Sequence, residues 1–321
     1  MNKVKIDSKD LQVGMYVAEL DRPWLETPFL FQGFAITSQG DINELERCCN
    51  YVFIDEDRSN YEKKLPLSSC ASLDEVGDKE RKKYQRPEHK VSVEEEFGEA
   101  KDIRHEAEQL VTRLFRDVSG GGKLDYSQAK GVVRDIMESL ERSPDALLLL
   151  STMKSHDREA EAHAINCSIL SITLGRYMQF SHDMLEELAL AALLHDVGEV
   201  KISLDLLNKG NKTQAENEQV MKHTTYGAEI LLSAKDMPNS VVEVALSHHE
   251  QIDGKGYPRQ LGKDEISLFS KIVAIVDTYD RLTTGSEEKT IPATEALRYL
   301  YLYRDKFFEA TLTEVFIKCL G

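Results

Sequence analysis

The chain has 321 residues, a formal net charge of −16 and a sequence pI near 5.1. This acidity argues against a binding surface for DNA, other nucleic acids or anionic membranes, because binding to any of them needs a basic face. A small anionic ligand is still compatible with the charge, because bound divalent cations would reverse the local potential. The sequence has no apolar run of transmembrane length and no signal-peptide core, and its five cysteines show neither disulfide nor metal-knuckle spacing. We therefore predict a cytoplasmic protein with two domains and no membrane span.

Residues 1–62 are predicted to form a small α+β domain. Alternation of apolar and polar residues predicts short strands at 4–6, 15–20 and 51–54, with 31–37 as a further candidate. The segment 42–49 has helical spacing. Four aromatic residues crowd together in this domain: Trp24, Phe29, Phe31 and Phe34. We interpret them as core and edge packing, with a docking surface for a partner or the second domain as the alternative.

Residues 63–95 are polar and charged and are predicted to be a flexible linker. A connecting helix is expected over 96–124, where apolar residues recur at helical spacing until a Ser-Gly-Gly-Gly run at 119–122. The apolar stripe consists of Phe97, Ile103, Leu110, Val111, Leu114 and Val118. Such a stripe most often packs on a neighbouring domain, and the alternative is the seam of a homodimer.

Residues 125–321 are predicted to be almost entirely helical, so the expected fold is mainly α, preceded by the small α+β domain. Apolar residues recur at three- and four-residue steps over 127–142, 146–153, 160–177, 184–194, 216–231, 240–248, 267–280 and 292–301. Ser181 suits the N-cap of the helix that continues through 184–194.

Histidines and carboxylates lie inside or at the ends of these helical segments, and they include five of the nine histidines. The set is Glu159, His163, His195, Asp196, His223, His248, His249 and Asp277. So many nitrogen and oxygen ligands exceed the need of one four-coordinate zinc but suit two or three octahedral ions. We therefore predict two or three divalent metal ions, with iron or manganese favoured over zinc.

Local context supports some of these ligands more than others. The pair His195-Asp196 closes an apolar run, and a metal would compensate charge at a buried helix end; the alternative is a capping histidine beside a solvated aspartate. Asp277 follows the apolar run 272–276, where a metal or a buried salt bridge is expected. By itself, His223 is typical of a surface position.

The remaining ligands come as spaced or adjacent pairs. Glu159 and His163 share one helix face, a pattern that is common on solvated surfaces. The adjacent His248-His249 would diverge by about 100° on a helix, so either they contact different ions or one supports the other. The next segment, 253–258, has two glycines and a proline, which predict a tight turn where a substrate could approach the backbone.

Together these residues resemble a known family. The pair His195-Asp196 is similar to the HD pair of the HD superfamily of metal-dependent phosphohydrolases. The sequence HHEQIDGKGYP at 248–258 is similar to the HHE…DGxGYP block of the HD-GYP subfamily, and the resemblance extends from about residue 125 to the C-terminus. The N-terminal module, with VGMYV at 13–17 and DRPW at 21–24, resembles a small domain often fused ahead of HD-GYP in bacterial proteins.

The resemblance implies a phosphodiesterase of bacterial signalling that hydrolyses a cyclic dinucleotide, cyclic di-GMP or 3′,3′-cyclic GMP-AMP, to a linear dinucleotide. It places the eight residues above among the metal ligands, with Asp196 bridging two ions and acting with His195 in catalysis. The presence of Glu159 favours three ions over two. The expected substrate contacts are Gly254, Gly256, Tyr257 and Lys289. We add Lys209 to this set as a further cation. A second copy of the chain or a signalling protein is a further candidate partner.

Two positions depart from the family pattern. Glu199 stands where the HDxGK motif has its lysine, and Ser286 stands where the family often has an arginine. Each lost charge-assisted phosphate contact is worth roughly 1.5–3 kcal/mol. Either other cations compensate, the candidates being Lys201, Lys209, Lys255 and Arg281, or the pocket is tuned to another dinucleotide. The competing functions are a catalytically degenerate HD-GYP domain that senses a cyclic dinucleotide or binds proteins, and a general HD-type nucleotidase.

Overall fold

The computed structural model describes residues 3–21, 34–36, 42–43, 45, 47, 49, 51–55, 58–59, 90–152, 159–284 and 290–320. The chain divides into two compact units, Met1–Glu75 and Val76–Gly321, and each has a hydrophobic core of its own. Within the described ranges, no helix combines the length and the apolar character needed to cross a membrane.

The first unit contains a four-stranded antiparallel sheet. Its strands are β1 (Lys3–Asp7), β2 (Tyr16–Leu20), β3 (Phe34–Ala35) and β4 (Tyr51–Asp55), in the order β1-β4-β2-β3. Val17, Val52 and Ile54 are fully buried, so alternate side chains form the core as the sequence predicts. The strand candidate at 31–37 is described only at 34–36, and the aromatic cluster lies outside the described side chains.

The second unit begins with a long helix, α1 (Val93–Ser119). A capping box starts it, in which the Ser92 hydroxyl accepts from the Glu95 N–H at 3.2 Å and the Glu95 carboxylate accepts from the Ser92 N–H at 3.0 Å. The buried face of α1 packs on α2 (Tyr126–Arg142) and α3 (Pro144–Ser151). The apolar stripe therefore packs inside the second unit.

The remaining helices of this unit follow closely on one another. They are α4 (Glu159–Tyr177), α5 (His182–Leu194), α6 (Leu204–Leu207), α7 (Gln214–Met221), α8 (His223–Ser233), α9 (Asn239–Ser247), α10 (Leu268–Thr284), α11 (Ala293–Leu302) and α12 (Ala310–Leu320). A 3-10 turn, Val197–Lys201, follows α5. This largely helical unit confirms the predicted fold class.

Two helix predictions need correction. The expected helix 216–231 is two helices, because α7 ends at Met221 and α8 begins at His223, with Lys222 as the cap between them. None of the residues of α7 is buried, whereas α8 buries five, so the two share no continuous apolar face. Helix α12 was not predicted; burial of Val315 and Phe316 in the core outweighs their modest helix propensity.

Helices α4 and α5 form the centre of the second unit, and α10 packs against α4. Leu188 through Leu194 are all buried, which explains why this part of α5 has no polar face. The residues that follow α5 are therefore held at a buried helix end. This is where the predicted metal ligands gather.

Candidate metal centre

Five helices bring the predicted ligands together. The elements that carry them are α4 for His163, the end of α5 for His195 and Asp196, the start of α8 for His223, the end of α9 for His248 and His249, and α10 for Asp277. Three of these helices, α5, α8 and α9, place ligands at a terminus. Their side chains form two adjacent donor groups.

The first donor group consists of His163, Cys167, His195 and Asp277, whose ligand atoms all lie within 4.8 Å of one another. Asp277 Oδ1 is 3.0 Å from His163 Nε2 and 3.6 Å from His195 Nε2. Cys167 Sγ is 3.7 Å from His163 Nε2. The cysteine was not among the predicted ligands, although its position one helical turn after His163 is a signal that could have identified it.

The second donor group consists of Asp196, His223, His248 and His249. Asp196 Oδ1 is 3.3 Å from Nε2 of both His223 and His248, and these two nitrogens are also 3.3 Å apart. The rings of His248 and His249 have centroids 4.1 Å apart, and both belong to this group. The divergence of about 100° expected on a helix does not apply, because α9 ends at Ser247.

Asp196 connects the two groups. Its Oδ1 faces the second group, while its Oδ2 is 3.2 Å from His195 Nε2 and 3.8 Å from His163 Nε2 in the first. The residue is only 7% exposed. A buried carboxylate with one oxygen towards each donor set is the arrangement of a bridging ligand in a two-metal site.

Hydrogen bonds fix the orientation of four imidazole rings. In three of them, Nδ1 lies close to the backbone carbonyl three residues earlier, at 2.7 Å for His195, 2.8 Å for His223 and 3.1 Å for His248. Since a carbonyl only accepts, Nδ1 carries the proton and the Nε2 lone pair is left for a metal. His163 differs, because its Nδ1 lies 2.7 Å from the Asp280 carboxylate.

This geometry brings acceptor atoms together in a buried space. His195 Nε2 and Asp196 Oδ1 have no hydrogen-bond partner in the part of the chain that the structure describes. Facing acceptors of this kind are unfavourable unless a cation or a proton lies between them. Imidazole nitrogens and carboxylate oxygens, with one sulfur, suit divalent transition metals, so the residues fit the predicted ions.

The charges in the centre shift one another's pKa. Burial tends to raise the pKa of Asp196, but His195 and Arg281 hold it well below its ordinary value. Burial tends to lower the pKa of His195, but Asp196 raises it well above its ordinary value. The pKa of His163 is also raised well above its ordinary value, against the effect of burial, first by Cys167 and then by neighbouring carboxylates. Protons and metal ions would therefore compete for the same atoms.

Arg281, one turn after Asp277 on α10, places a cation at the edge of the centre. Its Nε donates to Asp277 Oδ1 at 2.6 Å, and its NH2 group donates to Asp196 and lies 3.8 Å from Glu199 Oε1. Its side chain is nevertheless 45% exposed. Glu199, which replaces the motif lysine, thus lies beside a positive charge supplied by another helix. Arg281 is the only one of the four candidate compensating cations for which the structure describes a contact with the ligands.

Buried polar side chains support His163 from behind. Asp280 accepts from Asn166 Nδ2 at 2.8 Å, and Asn166 Oδ1 accepts from Arg104 NH1 at 2.8 Å. Arg104 lies on α1 and also pairs with Glu108 at 3.2 Å. The sequence analysis did not identify these residues. Asp280 could have been found from its three-residue spacing after Asp277, but the contact between Arg104 and Asn166 spans 62 positions and leaves no local signal.

The loop after His249 folds back on the ligand-bearing segment. Gly254 has φ 73°, which favours glycine, and a Cβ at Gly256 would lie 2.4 Å from the Glu250 Cα. The glycine at 256 is therefore needed for chain packing, in addition to the tight turn and the substrate contact that the sequence predicted for it. The Tyr257 ring stacks on His249 with centroids 4.7 Å apart. Glu250 accepts two backbone N–H groups from later in the loop, at 2.6 and 2.9 Å.

The turn Val197–Lys201 packs its backbone directly on the start of α8. A Cβ at Gly198 would lie 1.9 Å from the carbonyl oxygen of His223. Only glycine permits this main-chain contact. It sets the position of His223 relative to Asp196, which precedes Gly198 by two residues.

Several predicted site residues remain as predictions. Glu159 begins α4, but its side chain lies outside the described part, as do Lys289 and Ser286. Lys209 Nζ pairs with Glu216 Oε1 at 2.6 Å, and this contact lowers the pKa of Glu216 to about 2. The positive charge of Lys209 is thus already engaged by a neighbouring carboxylate.

Comparisons with known proteins cover both units. A domain of unknown function, DUF3391, matches residues 3–129, and an HD domain matches residues 148–312. The cyclic di-GMP phosphodiesterase PA4108 of Pseudomonas aeruginosa is 33% identical over 321 residues, which is 99% of this chain and 76% of that protein. The 3′3′-cGAMP-specific phosphodiesterase 2 of Vibrio cholerae is 32% identical over 173 residues, 53% of this chain and 33% of that protein.

A solved structure shares the fold. Bd1817, described as an HDG"Y"P protein from Bdellovibrio bacteriovorus, aligns over 99% of both chains with a TM-score of 0.60 at 17% identity. The HD domain match spans every described residue of the two donor groups. The chain therefore belongs to the HD domain family and, within it, to the HD-GYP proteins.

Proposed function

We propose that this chain is a metal-dependent phosphodiesterase that hydrolyses cyclic di-GMP or 3′,3′-cyclic GMP-AMP to a linear dinucleotide. The observation that carries the proposal is the pair of donor groups joined by Asp196. The named activities of the Pseudomonas and Vibrio relatives supply the substrate class. The net charge of −16 does not oppose an anionic substrate, because bound cations reverse the local potential.

We assign one ion to each donor group, with Asp196 shared between them. When bound, such ions generate a nucleophile from water near neutral pH and offset the negative charge of the phosphodiester. The chain holds the imidazoles of His195, His223 and His248 in a single orientation, so little reorganisation accompanies the reaction. Glu159 is the proposed ligand of a third ion. Iron suits all of the donor types present.

The cation that contacts the substrate phosphate is assigned to Arg281. Glu199 has replaced the motif lysine, and the Arg281 guanidinium lies between the ligand carboxylates and Glu199. Arg281 already donates to Asp277 and Asp196, so its contact with phosphate requires metal ions to take over those carboxylate oxygens. The freed planar guanidinium would then bind phosphate through two parallel hydrogen bonds, which a lysine cannot do. Lys289 and Gly254 are proposed as further contacts, and Tyr257, stacked on His249, as a wall for the nucleotide.

The direct test is hydrolysis of the two cyclic dinucleotides, side by side, by full-length protein loaded with Fe(II) or Mn(II). We expect a linear dinucleotide from at least one substrate, resolved by chromatography. An Asp196→Asn variant prepared in the same way should give no product. If the protein carries two metal ions per chain and cleaves neither substrate, the proposal is wrong.

A second candidate function is a cyclic-dinucleotide sensor without catalysis. It is favoured by the contacts of Arg281, whose guanidinium neutralises both carboxylates that the metal ions need. In an enzyme, Arg281→Ala should keep metal-dependent turnover of bis-p-nitrophenyl phosphate and weaken cyclic-dinucleotide binding by about 10- to 100-fold. If the protein is a sensor, neither the wild type nor Arg281→Ala should turn over bis-p-nitrophenyl phosphate. The wild type should bind the cyclic dinucleotide without cleaving it.

A further inference from the structure

Cys167 is a buried residue of the first donor group that belongs to none of the recognised motifs. Its Sγ lies 3.7 Å from His163 Nε2. The same sulfur lies 3.8 Å from His163 Nδ1, so it packs against the imidazole ring. What places it with the ligands is that its sulfur and the donor atoms of His163, His195 and Asp277 all lie within 4.8 Å of one another.

A second observation at this position also points to a ligand. His195 is 0% exposed, and its Nε2 has no hydrogen-bond partner among the residues that can be described. Because Nδ1 already donates to a backbone carbonyl, Nε2 presents a lone pair to the first donor group. Asp277 Oδ1, 3.6 Å from that nitrogen, adds an oxygen donor from a third helix. The sulfur is thus one of four donors gathered from three chain segments.

We propose that Cys167 is a thiolate ligand of the ion held by His163, His195 and Asp277. This inference rests on the metal centre of the proposed function and adds a sulfur donor to one of its two positions. The thiol proton passes to solvent as the metal–sulfur bond forms. The first position is then a sulfur, nitrogen and oxygen site, while the second has only nitrogen and oxygen donors.

The consequence is a difference in metal preference between the two positions. Thiolate ligands favour thiophilic ions such as Zn(II) and Fe(II), whereas Mn(II) prefers oxygen donors. The first position should therefore discriminate against Mn(II) more strongly than the second. A centre of this kind takes different ions from a mixed supply.

Cys319 provides a matched control. It is also buried in the second unit, and its Sγ lies 3.7 Å from the Thr173 carbonyl oxygen, outside both donor groups. Replacing either cysteine by serine removes one buried sulfur from the same helical core. Only the change at Cys167 removes a proposed metal ligand.

The test uses the full chain stripped of metal and reloaded with two equivalents of Co(II). A cobalt–thiolate bond produces a charge-transfer absorption in the near ultraviolet. We expect this band in the wild type and in Cys319→Ser, and its loss in Cys167→Ser. The band does not depend on turnover, so a chain that fails to hydrolyse cyclic dinucleotides can still confirm or contradict sulfur ligation.

A competition experiment gives a second readout. After incubation with equimolar Zn(II) and Mn(II), the zinc-to-manganese ratio bound by Cys167→Ser should fall at least about tenfold below that of the wild type. An unchanged cobalt band in Cys167→Ser, or no band in wild type that carries two cobalt ions, overturns the proposal. If the serine variant does not fold, X-ray absorption of the zinc-loaded wild type decides: a sulfur shell at about 2.3 Å supports the proposal, and a shell of nitrogen and oxygen alone overturns it.

Discussion

The two donor groups differ in what holds their histidines in place. In the second group, His223 and His248 donate their Nδ1 protons to carbonyls three residues earlier in the chain. In the first group, His163 depends on Asp280, which lies 117 positions away and is itself linked through Asn166 to Arg104. Local backbone therefore orients the second group, whereas distant side chains orient part of the first. Substitutions outside the ligands should disturb the first group more than the second.

The largest effect is expected from the residue that serves both groups. Asp196→Asn keeps the size of the side chain but removes the negative charge that bridges the two positions, so kcat/KM should fall by on the order of 10³-fold or more. Metal content should fall at both positions. The measurement is turnover and metal analysis beside Asp183→Asn, an exposed change at the other end of α5. Activity within tenfold of wild type would contradict the bridging role.

A change at Asp280 should separate the groups. Asp280→Asn leaves a polar side chain but removes the carboxylate that accepts from His163 Nδ1, so metal affinity at the first position should fall about 10- to 100-fold. The second position should keep its affinity, which makes it an internal control. A two-step calorimetric titration with Zn(II) would resolve both events. An equal loss at both steps would show that the groups are not independently supported.

Substitutions in the loop that follows the second group should have a smaller effect, mainly on the stability of the fold. Gly256→Ala places a methyl group against the backbone of Glu250 and should cost about 1–3 kcal/mol of unfolding free energy. Gly254→Ala meets no close atoms but must adopt φ 73°, a strain of roughly 1–2 kcal/mol. Urea titration of both variants compares the two costs. Only Gly256→Ala should also shift metal affinity, because that glycine packs on the backbone of Glu250 and Gln251, which directly follow His249.

The smallest expected effect is on the thermal stability of the metal-free protein, which should depend on pH. The folded-state pKa of His163 and of His195 lies above the ordinary value of about 6.5, so their contribution to stability is complete below that pH. It is lost as pH rises through the raised pKa. The melting temperature of chelator-treated protein should therefore fall by on the order of a few degrees as the pH rises from about 6.5 into the alkaline range.

Metal-loaded protein provides the control for this pH series. Its rings are neutral when they bind an ion, so its melting temperature should not follow the same decline. The gap between loaded and chelator-treated protein should widen with pH. The carboxylates with lowered pKa values do not interfere, because their contribution is lost only at acid pH. A constant gap would show that the histidines do not hold protons as described.

Local sequence was enough to predict much of the centre. The runs before His195 and His248 are apolar and helical, so the position of each ligand at a helix end followed from the sequence itself. Cys167 was harder to recognise, because a buried cysteine is usually an ordinary apolar side chain. The contact between Arg104 and Asn166 depends on tertiary packing that no local pattern encodes. The break between α7 and α8 was missed because it depends on which surface each helix faces.

The contact between Gly198 and the His223 carbonyl has a consequence for ion size. No side chain separates the turn from α8, so the spacing between the backbone of the turn and that of His223 cannot adjust through side-chain repacking at Gly198. If the second position binds an ion as proposed, we expect this fixed backbone spacing to disfavour Ca(II), whose bonds are longer at about 2.3–2.6 Å. The missing side chain of Gly198 would in that way contribute to the choice of ion.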